Sequence, residues 1–86
     1  MHQTIHESID VIAVFPRGSS HALPKRIKWQ GKDYSITELG MHYPQRQGRV
    51  LHHIFSVTAG TLFFRLNFNT ETLQWVVEEI SDGLAD

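Results

Sequence analysis

Two stretches, "RVLHHIFSVT" (49–58) and "TLFFRLNF" (61–68), alternate side-chain character with a period of two on either side of Ala59-Gly60. Successive residues of a strand point to opposite faces, so this period belongs to a β-hairpin and is incompatible with a helix. Leu51, His53, Phe55 and Val57 form one set, and Leu62, Phe64, Leu66 and Phe68 form the matching one. These eight side chains are the expected core, and a chain built around them has to surround them with more sheet. Ile54 and Phe63 fall on the other face as an exposed apolar pair.

The rest of the chain is punctuated to suit. Turn signals fall around 16–24, 30–32, 40–48, 59–60 and 69–72, separating short segments. "SIDVIAVF" (8–15) is rich in β-branched residues and closes at Pro16. Ile9, Val11, Ala13 and Phe15 share one face of that strand; Ile12 and Val14 on the other suggest cover on both sides. "PKRIKWQGKDYSI" (24–36) reads as a hairpin about Gln30-Gly31, with Ile27, Trp29, Tyr34 and Ile36 on the core side. Leu39 breaks the phase, as a bulge or strand end does. "GMHYPQRQG" (40–48) is expected to be a loop between glycines. The last segment supports two readings. Leu73, Val76, Val77, Ile80 and Leu84 follow helical spacing, whereas "LQWVVEEI" is dense in Trp and Val and follows a compact turn. The composition favours a strand. The expectation is therefore an all-β, single-domain barrel or roll of the SH3-like kind, with five to six antiparallel strands over residues 1–86 and an ordered core of about 8–82. The alternative is an α+β fold with a C-terminal helix over 70–82.

At 41% apolar residues and a net charge of −1, the chain has the composition of a folded domain. With no cysteine it has neither disulfides nor zinc-binding thiolates. The polar start "MHQTIHESID" carries no apolar leader, and nowhere do 18 apolar residues run together. A cytoplasmic protein without a membrane span is expected. The net charge conceals an asymmetry. All eight Lys and Arg lie between Arg17 and Arg65 with only Asp33 and Glu38 among them, giving a middle of +6 against ends that together carry −7. Such a layout creates a basic face, or is neutralised where strands of opposite sign pair.

The chemistry-bearing residues point away from catalysis. Six histidines invite a metal reading. His52 and His53 are adjacent, however, and in a strand face opposite ways; His2, His6, His21 and His42 fall in expected termini or loops. No metal and no other cofactor is expected. Ser20 and His21 in "GSSH" lack the strand-turn-helix setting of a nucleophile elbow, Glu78 and Glu79 do not form an acid/base pair, and there is no phosphate-binding glycine motif. No catalytic residue is expected.

Two binding surfaces remain. Arg26, Lys28, Lys32, Arg46, Arg49 and Arg65, with Tyr43 as a stacking ring, suit a nucleic-acid-associated accessory domain tracking phosphates. Alternatively Ile12, Val14, Ile54, Phe63 and Val76, if gathered and uncovered, suit a protein partner or a homodimer.

The order of "PKRIKWQGKDYSITEL", "IFSV", "FFRLNFN" and "LQWVVEEI" over about residues 23–82 resembles a family of small bacterial domains of unknown function. Its pattern is an aromatic-x-Trp-x-Gly-x-x-Tyr hairpin, two middle strands and a Trp-containing last strand ending near an Asp. Some members are encoded with, or appended to, lesion-bypass DNA polymerases. Here Ile27 stands at the aromatic position, and the pattern's basic tail has no counterpart. The resemblance implies a β-rich fold and a DNA-related accessory role, with no catalytic residues to transfer.

Overall fold

A computed structural model describes residues 2–82 and contains, among them, seven strands and no helix. The strands are β1 (His2–Val14), β2 (Leu23–Trp29), β3 (Lys32–Ser35), β4 (Glu38–Gln47), β5 (Val50–Ala59), β6 (Leu62–Asn69) and β7 (Trp75–Ser81). They form one sheet in the order β3-β2-β1-β7-β6-β5-β4, every neighbouring pair antiparallel.

That order forces the sheet to curl. Across seven alternating strands, β3 and β4 occupy opposite edges and point the same way. Laid flat, the edges would lie about 29 Å apart at the usual strand spacing. Yet only Ile36 and Thr37 separate them, and three Cα steps reach about 10 Å. The amide of Ile36 donates to the Lys25 carbonyl on β2 (2.9 Å), and that of Thr37 donates to the Thr58 carbonyl on β5 (2.8 Å). Consecutive residues thus hand the chain from one edge to the other, so β3 and β4 are two halves of one bent strand. β1 is shared in the same manner: its first part pairs with β7 and Asp10–Val14 pairs with β2. Two corner strands convert a meander into a small barrel. Counted as continuous strands the wall has six rows, which reconciles the five to six expected with the seven observed.

The interior holds Ile27, Phe55, Val57, Phe64, Leu66, Phe68, Trp75, Val77 and Ile80, all buried. Of the eight core side chains expected from the alternation, five are buried, and Leu51, His53 and Leu62 are partly covered. The Gln30-Gly31 hairpin forms as expected, both residues at positive φ (51° and 79°) as a tight primed turn requires.

Several expectations change. Residues 40–47 are not a loop but most of β4. Pro44 is compatible with a strand there because β4 is an edge, with no further strand asking for an amide donor. The phase break at Leu39 is a register shift before Met41. Residues 73–82 hold a strand, as the composition favoured, not a helix. The apparent helical spacing arises from a bulge: the β6–β7 register shifts at Arg65/Leu66, so the inward residues of β7 are Trp75, Val77 and Ile80, spaced two and then three. β1 is covered on one side only; Ile12 is 61% exposed, and Phe15, expected inside, is 72% exposed beyond the strand end.

Candidate binding site

One end of the barrel is closed by the segment 15–22 and the turn 69–74. The turn is built by Asn69, whose side-chain oxygen accepts from the amides of Glu71 (2.8 Å) and Thr72 (3.0 Å) while its carbonyl accepts from the Leu73 amide (2.8 Å). Thr70 ties it to β5, its amide and hydroxyl both donating to the Leu51 carbonyl. This scaffold holds Leu73 at φ 62° and leaves it 64% exposed. A branched side chain in the left-handed region costs about 1–2 kcal/mol, and glycine or asparagine would be the ordinary choice. Leu73 therefore occupies a strained backbone position without the compensation of burial. Phe15 and Leu73 line one pocket of about 210 Å³ together with the buried Ala22 and Phe68.

The remaining wall of that pocket is polar, made by two imidazoles and the side chains of Ser20 and Thr70. His21 and His53 line it directly, and His42 lies behind them. The His21 and His42 rings stack at 4.0 Å and His42 stacks on Phe55 at 4.6 Å, while His53 lies 5.0 Å from His42. Nε2 of His42 and Nδ1 of His53 are hydrogen-bonded at 2.8 Å. Burial, followed by the charges of His21 and His53, holds the pKa of His42 below its ordinary value; burial and then His21 do the same to His53. Stacked rings do not aim their lone pairs at one point, and among the described residues no three His, Asp or Glu side chains are set to hold an ion. Ser20 Oγ lies 3.4 Å from His21 Nδ1 on the exposed segment, longer than a working nucleophile–base bond.

A second polar array crosses the outer face. Asn67 Nδ2 donates to Glu78 (2.7 Å), so its oxygen faces His52 and accepts from Nδ1–H (2.6 Å). Arg65 donates to Glu78 (3.1 Å) and pairs with Glu79. His52 and Asn67 are buried, and each finds its partner within the array.

The residues singled out from the sequence are distributed as follows. Arg26 and Lys28 are exposed on β2, and Lys32 opens β3. Lys28 lies opposite Asp10 on one side and Asp33 on the other, so that row sets one cation between two acids. Arg46 and Arg49 flank the β4–β5 turn, at the far end of the bent strand from Lys32, and Arg65 is engaged by two glutamates. Tyr43 is half-buried opposite Ile54. The cations are thus spread over separate places rather than joined in one stripe. The apolar set is divided too. Ile54 is 1% exposed, a correction to its expected place on the surface. It faces Asn67, and Phe63 faces Thr58, so the two do not form a pair. Ile12 and Val14 are exposed near one end of the sheet and Phe63 at the other, with half-buried Val76 and the polar array between them.

The sequence reading missed Phe15, Leu73 and the histidine cluster. The cluster was findable: had 40–47 been read as a strand, counting outward from the Gly48-Arg49 turn would have brought His42 to the diagonal of His53. Leu73 had no such signal, because its exposure depends on the Asn69 turn.

No family model, characterised protein or solved structure matches this chain. Function has to be read from the geometry alone.

Proposed function

We propose that the protein is a non-enzymatic, cytoplasmic interaction module whose barrel-end pocket takes an apolar side chain from a partner protein. The observation that carries this reading is Leu73, held in an unfavourable backbone conformation on a rigid turn and exposed beside Phe15. Strain maintained at an exposed apolar residue serves recognition better than folding. The pocket that Leu73 and Phe15 line, about 210 Å³, is the size of one large side chain, and among the described residues no carboxylate, lysine or arginine lines it. An apolar anchor in such a place, rimmed by imidazole and hydroxyl groups, is a common design of protein interfaces. The nucleic-acid reading has less support, because Lys28 and Arg65 are balanced by acids and the remaining cations are separated.

Selection of a displayed random-peptide library on the wild-type chain, with parallel selection on the Phe15→Ser/Leu73→Ser double variant, tests the proposal. Peptides sharing an aromatic or branched aliphatic anchor should be enriched on the wild type and lost on the variant. Equal recovery on both proteins would reject the pocket. Labelled oligonucleotides, single-stranded and duplex, are the counter-test: tight binding with a steep salt slope would return function to the basic residues.

A further inference from the structure

The histidine cluster does more than wall the pocket. His21 belongs to the segment 15–22, His42 to β4 and His53 to β5, so the three rings join the longer of the two non-strand segments at this end to the barrel. The bond between Nε2 of His42 and Nδ1 of His53 needs one donor and one acceptor, so one of those two nitrogens has to be bare. A single extra proton in the cluster is compatible with it, since an imidazolium donates to an imidazole. A second puts two like charges on rings whose centres lie 4.0–5.4 Å apart.

We propose that His21, His42 and His53 form an acid-released latch, which at neutral pH holds the segment 15–22 in place as one side of the pocket, to which it supplies Phe15, Ser20, His21 and Ala22, and in mild acid lets it go, taking the pocket apart and baring the apolar side chains behind the segment. The element that moves is set by the bonding. β4 and β5 are locked to each other by a long ladder. The hydrogen bonds of the segment close on itself, from Ser19 N to the Pro16 carbonyl and from Ser19 Oγ to the His21 carbonyl. The electrostatic surroundings do not counter the switch. Arg17 is the other charge on the segment and lies in its exposed turn; on β5, His52 faces the opposite side of the sheet; Glu71, on the β6–β7 turn, is exposed, and among the described residues neither it nor any other carboxylate lines the pocket. The charges acting on His42 are those of His21 and His53, and the one acting on His53 is that of His21. Depressed proton affinity keeps His42 and His53 uncharged at neutral pH and gives those two rings a threshold on the acid side.

The use of the release, which would end binding in mild acid, rests on the binding function proposed above, but the movement is measurable without a partner. The wild-type chain would be titrated from neutral pH to about pH 5, the range in which histidines change charge. Amide and histidine-ring NMR shifts report the segment, the anionic apolar dye ANS reports the apolar side chains bared behind it, and near-UV circular dichroism reports core packing. The expected result is a cooperative shift of the 15–22 amides together with a severalfold rise in dye fluorescence, at unchanged near-UV dichroism. His21→Phe, which keeps a ring in the stack but removes its charge, should abolish both changes, as should His21→Gln. Independent titration of the three rings without amide shifts would overturn the latch. So would the same rise in His21→Phe, or a rise accompanied by loss of the near-UV signal, which marks general acid loosening. Amide shifts without dye binding would overturn the baring of apolar side chains, while the peptide selection at neutral pH tests the intact pocket independently.

Discussion

Leu73→Asn separates fold from function at one residue. Asparagine adopts the left-handed region readily, so the change relieves much of the strain of a leucine at φ 62°, about 1–2 kcal/mol. Against this stands the apolar burial that leucine provides. Leu73 is 64% exposed, leaving about a third covered, and full burial of a leucine is worth about 1.5–3 kcal/mol, so the loss is about 0.5–1 kcal/mol. The balance lies between neutral and about 1.5 kcal/mol stabilising, whereas truncating a core leucine costs about 2–5 kcal/mol. Urea and thermal unfolding measure it; each kcal/mol moves the melting temperature of a domain this size by about 4–8 °C. The same variant should bind the selected peptides at least tenfold more weakly, a gain in stability at the expense of recognition. Destabilisation by about 2 kcal/mol or more would refute the reasoning, because Leu73 would then be a packing residue. Unchanged peptide affinity in a stabilised variant would refute its role in binding.

Gln30→Asn should stabilise the β2–β3 hairpin by a few tenths to about 1 kcal/mol, since Asn-Gly suits the primed turn better than Gln-Gly; a fall in the urea midpoint would contradict the turn assignment. Asn67→Leu leaves the Nδ1–H of buried His52 without its acceptor and should cost about 1–3 kcal/mol, measured by the same unfolding, whereas an effect below about 0.5 kcal/mol would show that the array contributes nothing to stability. The pH dependence of stability has a definite sign. His42 and His53 bind protons less readily folded than unfolded, so their contribution is complete above the ordinary value of 6.5 and is lost as pH falls through it toward the depressed folded values. Unfolding free energy should decline with falling pH over that window, and the His42→Phe/His53→Leu double variant should show a shallower decline.

The alternation around Ala59-Gly60 identified the right inward face of β5 and β6, because a half-buried strand writes its orientation directly into the sequence. The Gln30-Gly31 hairpin was equally plain. What misled was bulges and edges. One extra residue at Glu78 turned the period of β7 into something close to helical, and Pro44 resembled a loop residue because a proline in a strand is allowed only where no partner follows. The candidate surfaces suffered more. Lys28 meets Asp10 only through the β1–β2 pairing across the segment 15–22, and Arg65 meets Glu78 and Glu79 only through a β6–β7 register that a bulge shifts. The end pocket joins residues from the end of β1 to the β6–β7 turn, so it exists only after the barrel has closed.

That closure depends on a joint of two residues. Because Ile36 bonds to β2 and Thr37 to β5, the three-stranded part and the larger part of the sheet are held in register by backbone continuity at that point as much as by the cores they share. Lengthening the joint with a few glycines would let the β1–β3 unit of one molecule dock on the β4–β7 unit of another, exchanging identical contacts between copies. β1 and β7, by contrast, lie side by side with His2 opposite Ser81, so both termini of the sheet leave from one place. A short linker there, with new ends cut at Gly48-Arg49, should give a permuted chain that keeps the barrel, while new ends cut at Ile36-Thr37 should give one inclined to assemble through its two bared edges.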